Sequence, residues 1–233
     1  MADSETVAHN ETVVHNVQGL LLDCDGVLVD SHDAAAVAWN TWAKRWAPGF
    51  DFHRDIEHGR RIRDVVAELV KPPGDVDAAT ADLIQQEIDH ATDVTAIPGA
   101  RRLLGSCPAG RWAVVTSGGR AIATARMASA GLTPAEILVT GEDVENGKPS
   151  PDPYLLAAKR LGIPPVRCAV FEDAPAGIAA ARAAGVTTII GVGAAAASAP
   201  VTLAVTNLRG VRFDGHKLLI DASTILPGQQ FDL

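Results

Sequence analysis

The stretch VQGLLLDCDGVLVDS (17–31) decides the architecture. Its first residues form an apolar run without polar alternation, as expected of a strand buried on both faces. The run stops at Asp23-Cys24-Asp25, and Gly26 permits a turn there. Short apolar runs recur at WAVVTS (112–117), EILVTG (136–141), CAVFED (168–173), TTIIGV (187–192) and LAVTNL (203–208). Between them lie helical patterns at 120–130, 151–161 and 174–184, each followed by a glycine that suits the position after a helix end. Strand–helix alternation with loops this short predicts an α/β core, a Rossmann-like doubly wound parallel sheet.

Residues 32–97 break the alternation. They carry helical patterns at 33–46, 61–70 and 76–94 and no convincing strand, which predicts an all-helical cap inserted after the first strand. IPGA (97–100) marks the return to the sheet. The expected division is an N-terminal extension (1–16), a core (17–31 and 98–233) and a helical cap (32–97). Trp39, Trp42 and Trp46 share one helical face and are expected to form the packing seam of the cap. Beyond the fifth strand, 193–200 reads as a loop and 213–223 as a terminal strand or hairpin. The extension repeats itself, ETVAHN (5–10) then ETVVHN (11–16), and reads as a mobile or edge-strand segment. His9 and His15 would meet at a metal only if that segment folded back.

The 233 residues are 47% hydrophobic and 21% charged, enough for a packed core and against wholesale disorder. A net charge of -8 argues against a nucleic-acid partner, which needs a basic face. Cys24, Cys107 and Cys168 form no CxxC pair, so neither a disulfide framework nor a structural zinc site is expected. No apolar run approaches the roughly 18 residues of a membrane span, and the first residues lack the features of a secretory signal. A cytoplasmic protein without a membrane partner is expected, and no feature specifies an oligomer.

Asp23 and Asp25 sit two apart, which in an extended segment turns both carboxylates to one side. Two such charges about 4 Å apart repel by about 4 kcal/mol at an effective dielectric near 20. A shared proton, a cation or a turn that separates them must offset this. An Asx-turn with a helix cap would explain the same letters. A neighbouring strand, however, ends in Glu172 and Asp173, and ligands of open α/β sheets bind outside the carboxyl ends of the strands. Carboxylates converging there suit Mg²⁺, which keeps waters and accepts a substrate phosphate. VVTSGG adds the hydroxyls of Thr116 and Ser117 and bare N–H groups at Gly118 and Gly119, at the start of a helix. Lys148 follows the third strand, between Gly147 and Pro149. A P-loop is rejected there, because Pro149 stands where a Ser or Thr would hold the metal.

The four segments DCDGVLVDS, VVTSGG, NGKPSPDPY and VFEDAPAGIAAARAAG resemble the four ordered motifs of the haloacid dehalogenase-like hydrolase superfamily. The resemblance runs from about residue 17 to 192, with the helical insertion matching that superfamily's small cap. Within it the chain is most similar to sugar- and polyol-phosphate phosphatases, such as glycerol-phosphate and 2-deoxyglucose-6-phosphate phosphatases. The resemblance implies that Asp23 is the nucleophile, forming an aspartyl-phosphate, and Asp25 the general acid and base. It implies Mg²⁺ held by Asp23, the Asp25 carbonyl and Asp173, with Glu172 a ligand through water or an orienter. Thr116, Ser117, Gly118 and Lys148 would bind phosphoryl oxygens. The cap stretch HGRRIRD (58–64) is similar to the specificity stretch of the group and implies that His58, Arg60 and Arg61 contact a small sugar or polyol phosphate.

Three other activities share this fold. A dehalogenase needs neither Mg²⁺ nor Asp25. A β-phosphoglucomutase-like enzyme would carry a histidine early in the cap; Ala35 stands at the matching place, with His32 a turn earlier. A phosphonate hydrolase would need a cap lysine, for which only Lys44 and Lys71 are available. A non-catalytic binding protein would be expected to lose Asp23 or Lys148. Cys24, between the two aspartates, is either an oxidation switch or a small apolar residue facing the core.

Overall fold

The structure, a computed structural model, describes residues 12–228. An edge strand β1 (Thr12–Asn16) precedes the buried β2 (Gly19–Leu22) and the short β3 (Val29–Asp30). Four helices follow, α1 (His32–Trp46), α2 (Phe52–Asp55), α3 (Ile62–Leu69) and α4 (Val76–Asp89). The chain returns through β4 (Thr95–Ala96), which pairs antiparallel with β3. Then come α5 (Ala100–Ser106), β5 (Trp112–Val115), α6 (Arg120–Ser129), β6 (Leu138–Val139) and α7 (Asp152–Leu161). The last elements are β7 (Cys168–Glu172), α8 (Pro175–Ala183), β8 (Thr188–Val192), β9 (Leu203–Val205), β10 (Val211–Phe213) and β11 (Lys217–Asp221).

Six strands form one parallel sheet in the order β6-β5-β2-β7-β8-β9. Alternate residues of its strands feed two separate cores. Leu20, Leu22, Val114 and Phe171 face one side, and Leu21, Val115 and Val170 the other. Continuous apolar runs are therefore required, as the sequence predicts for a doubly wound sheet. The chain winds outward from β2 through β5 to β6, then crosses to β7 and continues to β9. That reversal opens a crevice beyond the carboxyl end of β2, flanked by β5 and β7.

The helices after β3 have a core of their own, around Trp39, Trp42, Val66 and Leu83. The tryptophan seam is satisfied at its polar ends. Trp39 Nε1 donates to Glu87, Trp42 Nε1 to the Ala79 carbonyl, and Trp46 Nε1 to Asp82.

Several local expectations are corrected. The segment 32–97 contains a strand, β4, because the returning chain meets β3 side by side. It also contains α2, four residues long, whose start is capped by Asp51 accepting from the Arg54 amide. The helix expected over 76–94 stops at Asp89, and 193–200 holds a 3-10 turn at Ala194–Ser198 rather than an open loop. The hairpin reading of 213–223 holds, since β10 and β11 pair antiparallel with a 3-10 turn at Ala222–Thr224 beyond them, and β1 adds antiparallel to β11. Val13 is thereby buried in the main core while Val14 faces outward. His15 lies in β1, and His9 lies outside the described residues. Among the described residues no helix is long and apolar enough to cross a membrane, and all three cysteines are free.

Candidate active site

The loop leaving β2 carries Asp23 and Asp25 into the crevice. β5 delivers Thr116, and β7 ends in Glu172 followed by Asp173. A cleft of about 120 Å³ opens here between sheet and cap. Asp23, Asp25, Thr116 and Asp173 line it from the core, and Trp39 and His58 from the cap.

Lys148 stands behind Asp23 rather than in the cleft. Its ammonium donates to Asp23 Oδ1 at 2.8 Å, Glu172 Oε1 at 2.6 Å and the Val115 carbonyl at 3.1 Å. These occupy all three of its donors, so it reaches a phosphoryl oxygen only by exchanging one of them. Its charge nevertheless lies against the Asp23 carboxylate in a site that excludes solvent. Burial alone would lower the Lys148 pKa, but Asp23 and Glu172 more than offset that and hold it above the ordinary lysine range.

Glu172 is the hub of this arrangement. Oε1 accepts from Lys148 and from the Tyr154 hydroxyl at 2.7 Å, and Oε2 from the amides of Asp173 and Ala174. Gly177 makes room for it, since a Cβ there would overlap the carboxylate. Tyr154, the single tyrosine of the chain, was not among the residues expected at the site. Gly26, at φ +74°, plays the corresponding part for Asp173, whose Oδ2 a Cβ would strike.

Asp25 is held at one oxygen. Oδ1 accepts from Ser31 Oγ at 2.6 Å and from Arg126 Nη1 at 2.8 Å. Arg126, on α6, is buried, and its Nη2 pairs with Glu87 of α4. Glu87 in turn accepts the Trp39 indole N–H at 2.8 Å. Neither Arg126 nor Glu87 was expected from the motifs. Each nonetheless leaves a trace in the sequence, a charge on a helix's apolar stripe: Ile122-Ala123-Arg126-Met127 and Ala79-Thr80-Leu83-Glu87.

The amides expected to be bare are partly used, since Gly118 N donates to Thr116 Oγ1 at 3.0 Å. Ser117 Oγ donates to the Gly59 carbonyl at 2.6 Å, tying the β5–α6 loop to the cap. His58 lies in the cleft with its ring centroid 4.4 Å from that of His32. Burial, followed by the His32 and His53 charges, lowers its pKa. Arg60 lines the cleft and pairs with Glu57 and Glu68. Arg61 is not among the lining residues. It bonds Asp64 and the carbonyls of Val144 and Glu145, because Gly141 and Gly147 leave a slot for its side chain against the core. The expectation that it touches substrate is corrected on that ground: it fastens cap to core. Cys24 is fully enclosed, and burial followed by the flanking carboxylates pushes its thiol up, against the oxidation-switch alternative.

The donor set fits Mg²⁺. Asp23, Glu172 and Asp173 offer carboxylate oxygens within 4.8 Å of one another. Burial pushes Asp23 up to about 8 against the pull of Lys148, with Glu172 and Asp25 adding to the rise. Burial, then Glu172 and Asp23, raises Asp173 as well. Among the described residues these four carboxylates pair with Lys148 and Arg126 alone, so a divalent cation would restore the balance.

A family model described as haloacid dehalogenase-like hydrolase matches residues 17–185. Over 173 residues the chain is 42% identical to hexitol phosphatase A of Escherichia coli (strain K12), covering 72% of this chain and 80% of that protein. It is 35% identical over 190 residues to glycerol-1-phosphate phosphohydrolase 2 of Saccharomyces cerevisiae, covering 76% of this chain and 74% of that protein. Among solved structures, the β-phosphoglucomutase of Clostridium difficile superposes with a TM-score of 0.72 at 20% identity, over 85% of this chain and 94% of that one, a likeness of fold alone.

Proposed function

The chain belongs to the haloacid dehalogenase-like hydrolases, and we propose that it is a Mg²⁺-dependent phosphatase of small sugar or polyol phosphates, working through an aspartyl-phosphate at Asp23. The observation that carries this reading is the Asp23 carboxylate at the cleft, with Lys148 2.8 Å behind it and Asp25 beside it. The names of the relatives, a hexitol phosphatase and a glycerol-1-phosphate phosphohydrolase, support the substrate class.

Asp23 attacks phosphorus as its carboxylate, a form that Lys148 favours against the burial that raises its pKa. Asp25 gives a proton to the leaving oxygen and later takes one from the water that releases phosphate. Thr116, whose hydroxyl keeps its proton to donate, orients a phosphoryl oxygen, and the Ser117 hydroxyl and Gly118 N–H join it by exchanging their bonds to the Gly59 carbonyl and Thr116 Oγ1. Asp23, the Asp25 carbonyl and Asp173 would hold Mg²⁺, and that ion supplies the remaining charge neutralisation. Four hydrogen bonds commit Glu172 to orienting Lys148 and the Asp173 loop. His58 and Arg60 face the leaving group, while the cap limits access of water. Free thiols are in keeping with a reducing, cytoplasmic setting.

One observation favours a second reading, a sugar phosphomutase: His32, at the start of α1, presents an imidazole to the same cleft. A panel of glycerol, hexitol and hexose phosphates, assayed with Mg²⁺ and with EDTA, separates the two. Phosphate release that EDTA abolishes and Mg²⁺ restores supports the phosphatase. Interconversion of a hexose 1-phosphate with its 6-phosphate, without release, replaces it with the mutase. Silence in both assays removes both.

A further inference from the structure

We propose that Arg126 is a positioning residue for the general acid, fixing which oxygen of Asp25 meets the leaving group, and that the cap residue Glu87 holds Arg126 in place for this. The inference rests on the reading that Asp25 protonates the leaving oxygen.

The hydrogen bonds on Asp25 are one-sided. Ser31 Oγ and Arg126 Nη1 both donate to Oδ1, at 2.6 and 2.8 Å. An oxygen receiving two donors, one of them a cation, is poorly disposed to carry or deliver a proton. The transferable proton is therefore assigned to Oδ2. Asp25 lines the cleft, and its side chain is 33% exposed where that of Asp23 is enclosed by the core at 7%.

The chemistry needs that assignment once per turnover. As Asp23 bonds to phosphorus the P–O ester bond breaks and its electron pair stays on the ester oxygen. That oxygen takes the proton from Asp25 Oδ2, giving the free alcohol, the phosphorylated Asp23 and an Asp25 carboxylate. An Asp25 free to rotate would present either oxygen, and the proton would often be misplaced.

The guanidinium is fixed from its other side. Nη2 pairs with Glu87, whose second oxygen accepts from Trp39 Nε1. Arg126 belongs to the core helix α6, whereas Glu87 and Trp39 belong to cap helices α4 and α1. Arg126 and Glu87 are both almost wholly enclosed, at 6% and 4% side-chain exposure, so the planar fork has little freedom. The general acid is thus oriented through a contact that exists when the cap is seated on the core.

Leaving-group dependence tests the assignment. An alkyl phosphate expels a poor leaving group and depends on proton donation, whereas p-nitrophenyl phosphate expels a good one and depends on it little. kcat/KM reports the step in which the leaving group departs. For Arg126→Met the account expects kcat/KM on the best alkyl phosphate of the wild type to fall by about 100-fold or more, and on p-nitrophenyl phosphate by less than about 10-fold. Asp25→Asn should show the same asymmetry. Arg126→Lys, which keeps the charge without the fork, and Glu87→Gln should shift the ratio the same way but less. Should Arg126→Met not fold, the ratio in Arg126→Lys and Glu87→Gln decides. Equal losses on both substrates would overturn the inference and make Arg126 a cap anchor only. A wild type that hydrolyses neither ester would instead remove the phosphatase reading beneath it.

Discussion

Glu172 Oε1 lies 2.6 Å from Lys148 Nζ, and neither side chain is reached by solvent. A buried pair is costly to break from one side, and without the Glu172 charge Lys148 would keep Asp23 as its one carboxylate partner, with no water to replace the other. Glu172→Gln is expected to lower unfolding stability by about 3 kcal/mol and to slow turnover by loosening Lys148 behind Asp23. Urea unfolding and phosphate release measure the two effects. Unchanged stability would show that the Glu172 charge is not needed for folding.

Gly177 is a steric partner of the same carboxylate, since a Cβ there would overlap Glu172. Its helical position imposes no unusual φ, so Gly177→Ala should otherwise favour the helix. The account expects the overlap to win, with a net loss of about 1–3 kcal/mol and a lower kcat. A stabilised Gly177→Ala would mean that Glu172 can move aside at no cost.

Arg61 and Arg60 are neighbours in sequence with different tasks. Arg61 bonds two core carbonyls, whereas Arg60 lies at the cleft and pairs with exposed acids of the cap. Arg61→Ala should worsen kcat and KM together, by about 10-fold in kcat/KM, because the cap loses a fastening to the core. Arg60→Ala should act mainly on KM for the natural ester. Steady-state kinetics of both variants check the difference.

Asp143 supplies a pH dependence. Burial alone would raise its pKa, but hydrogen bonds from Thr140 and Arg160 outweigh that and hold it down at about 2. A depressed carboxylate stabilises the fold above its unfolded pKa, and that stability is lost as pH falls through the folded value. The shift is worth about 2 kcal/mol at pH 6, with about half remaining at pH 3. The stability difference between wild type and Asp143→Asn, from urea unfolding, should shrink accordingly between those two values. A difference independent of pH would contradict the assignment.

The sheet was legible in the sequence because a strand buried on both faces needs an uninterrupted apolar run. Leu20-Leu21-Leu22 and Ala169-Val170-Phe171 supply such runs, each ending in acids. Asp23, Asp25, Glu172 and Asp173 were legible for the same reason, since a carboxylate straight after such a strand lands in the crevice. Lys148 was legible only through its motif, as nothing local to a loop lysine announces two buried carboxylates. The chain Asp25–Arg126–Glu87–Trp39 joins residues far apart in sequence, so no local pattern contains it. Arg61 misled because an arginine beside a cleft and one fastened to the core look alike until the slot at Gly141 and Gly147 is seen. β4 was missed because two residues are too few for any periodicity to register.

The most direct test of the central claim is a rapid acid quench of the enzyme turning over a hexitol or glycerol phosphate with Mg²⁺, followed by peptide mass spectrometry. The account predicts a transient phosphoryl group on Asp23, present in the wild type and absent, together with turnover, in Asp23→Asn. Full turnover by Asp23→Asn, or a phosphoryl group on another residue, would contradict it.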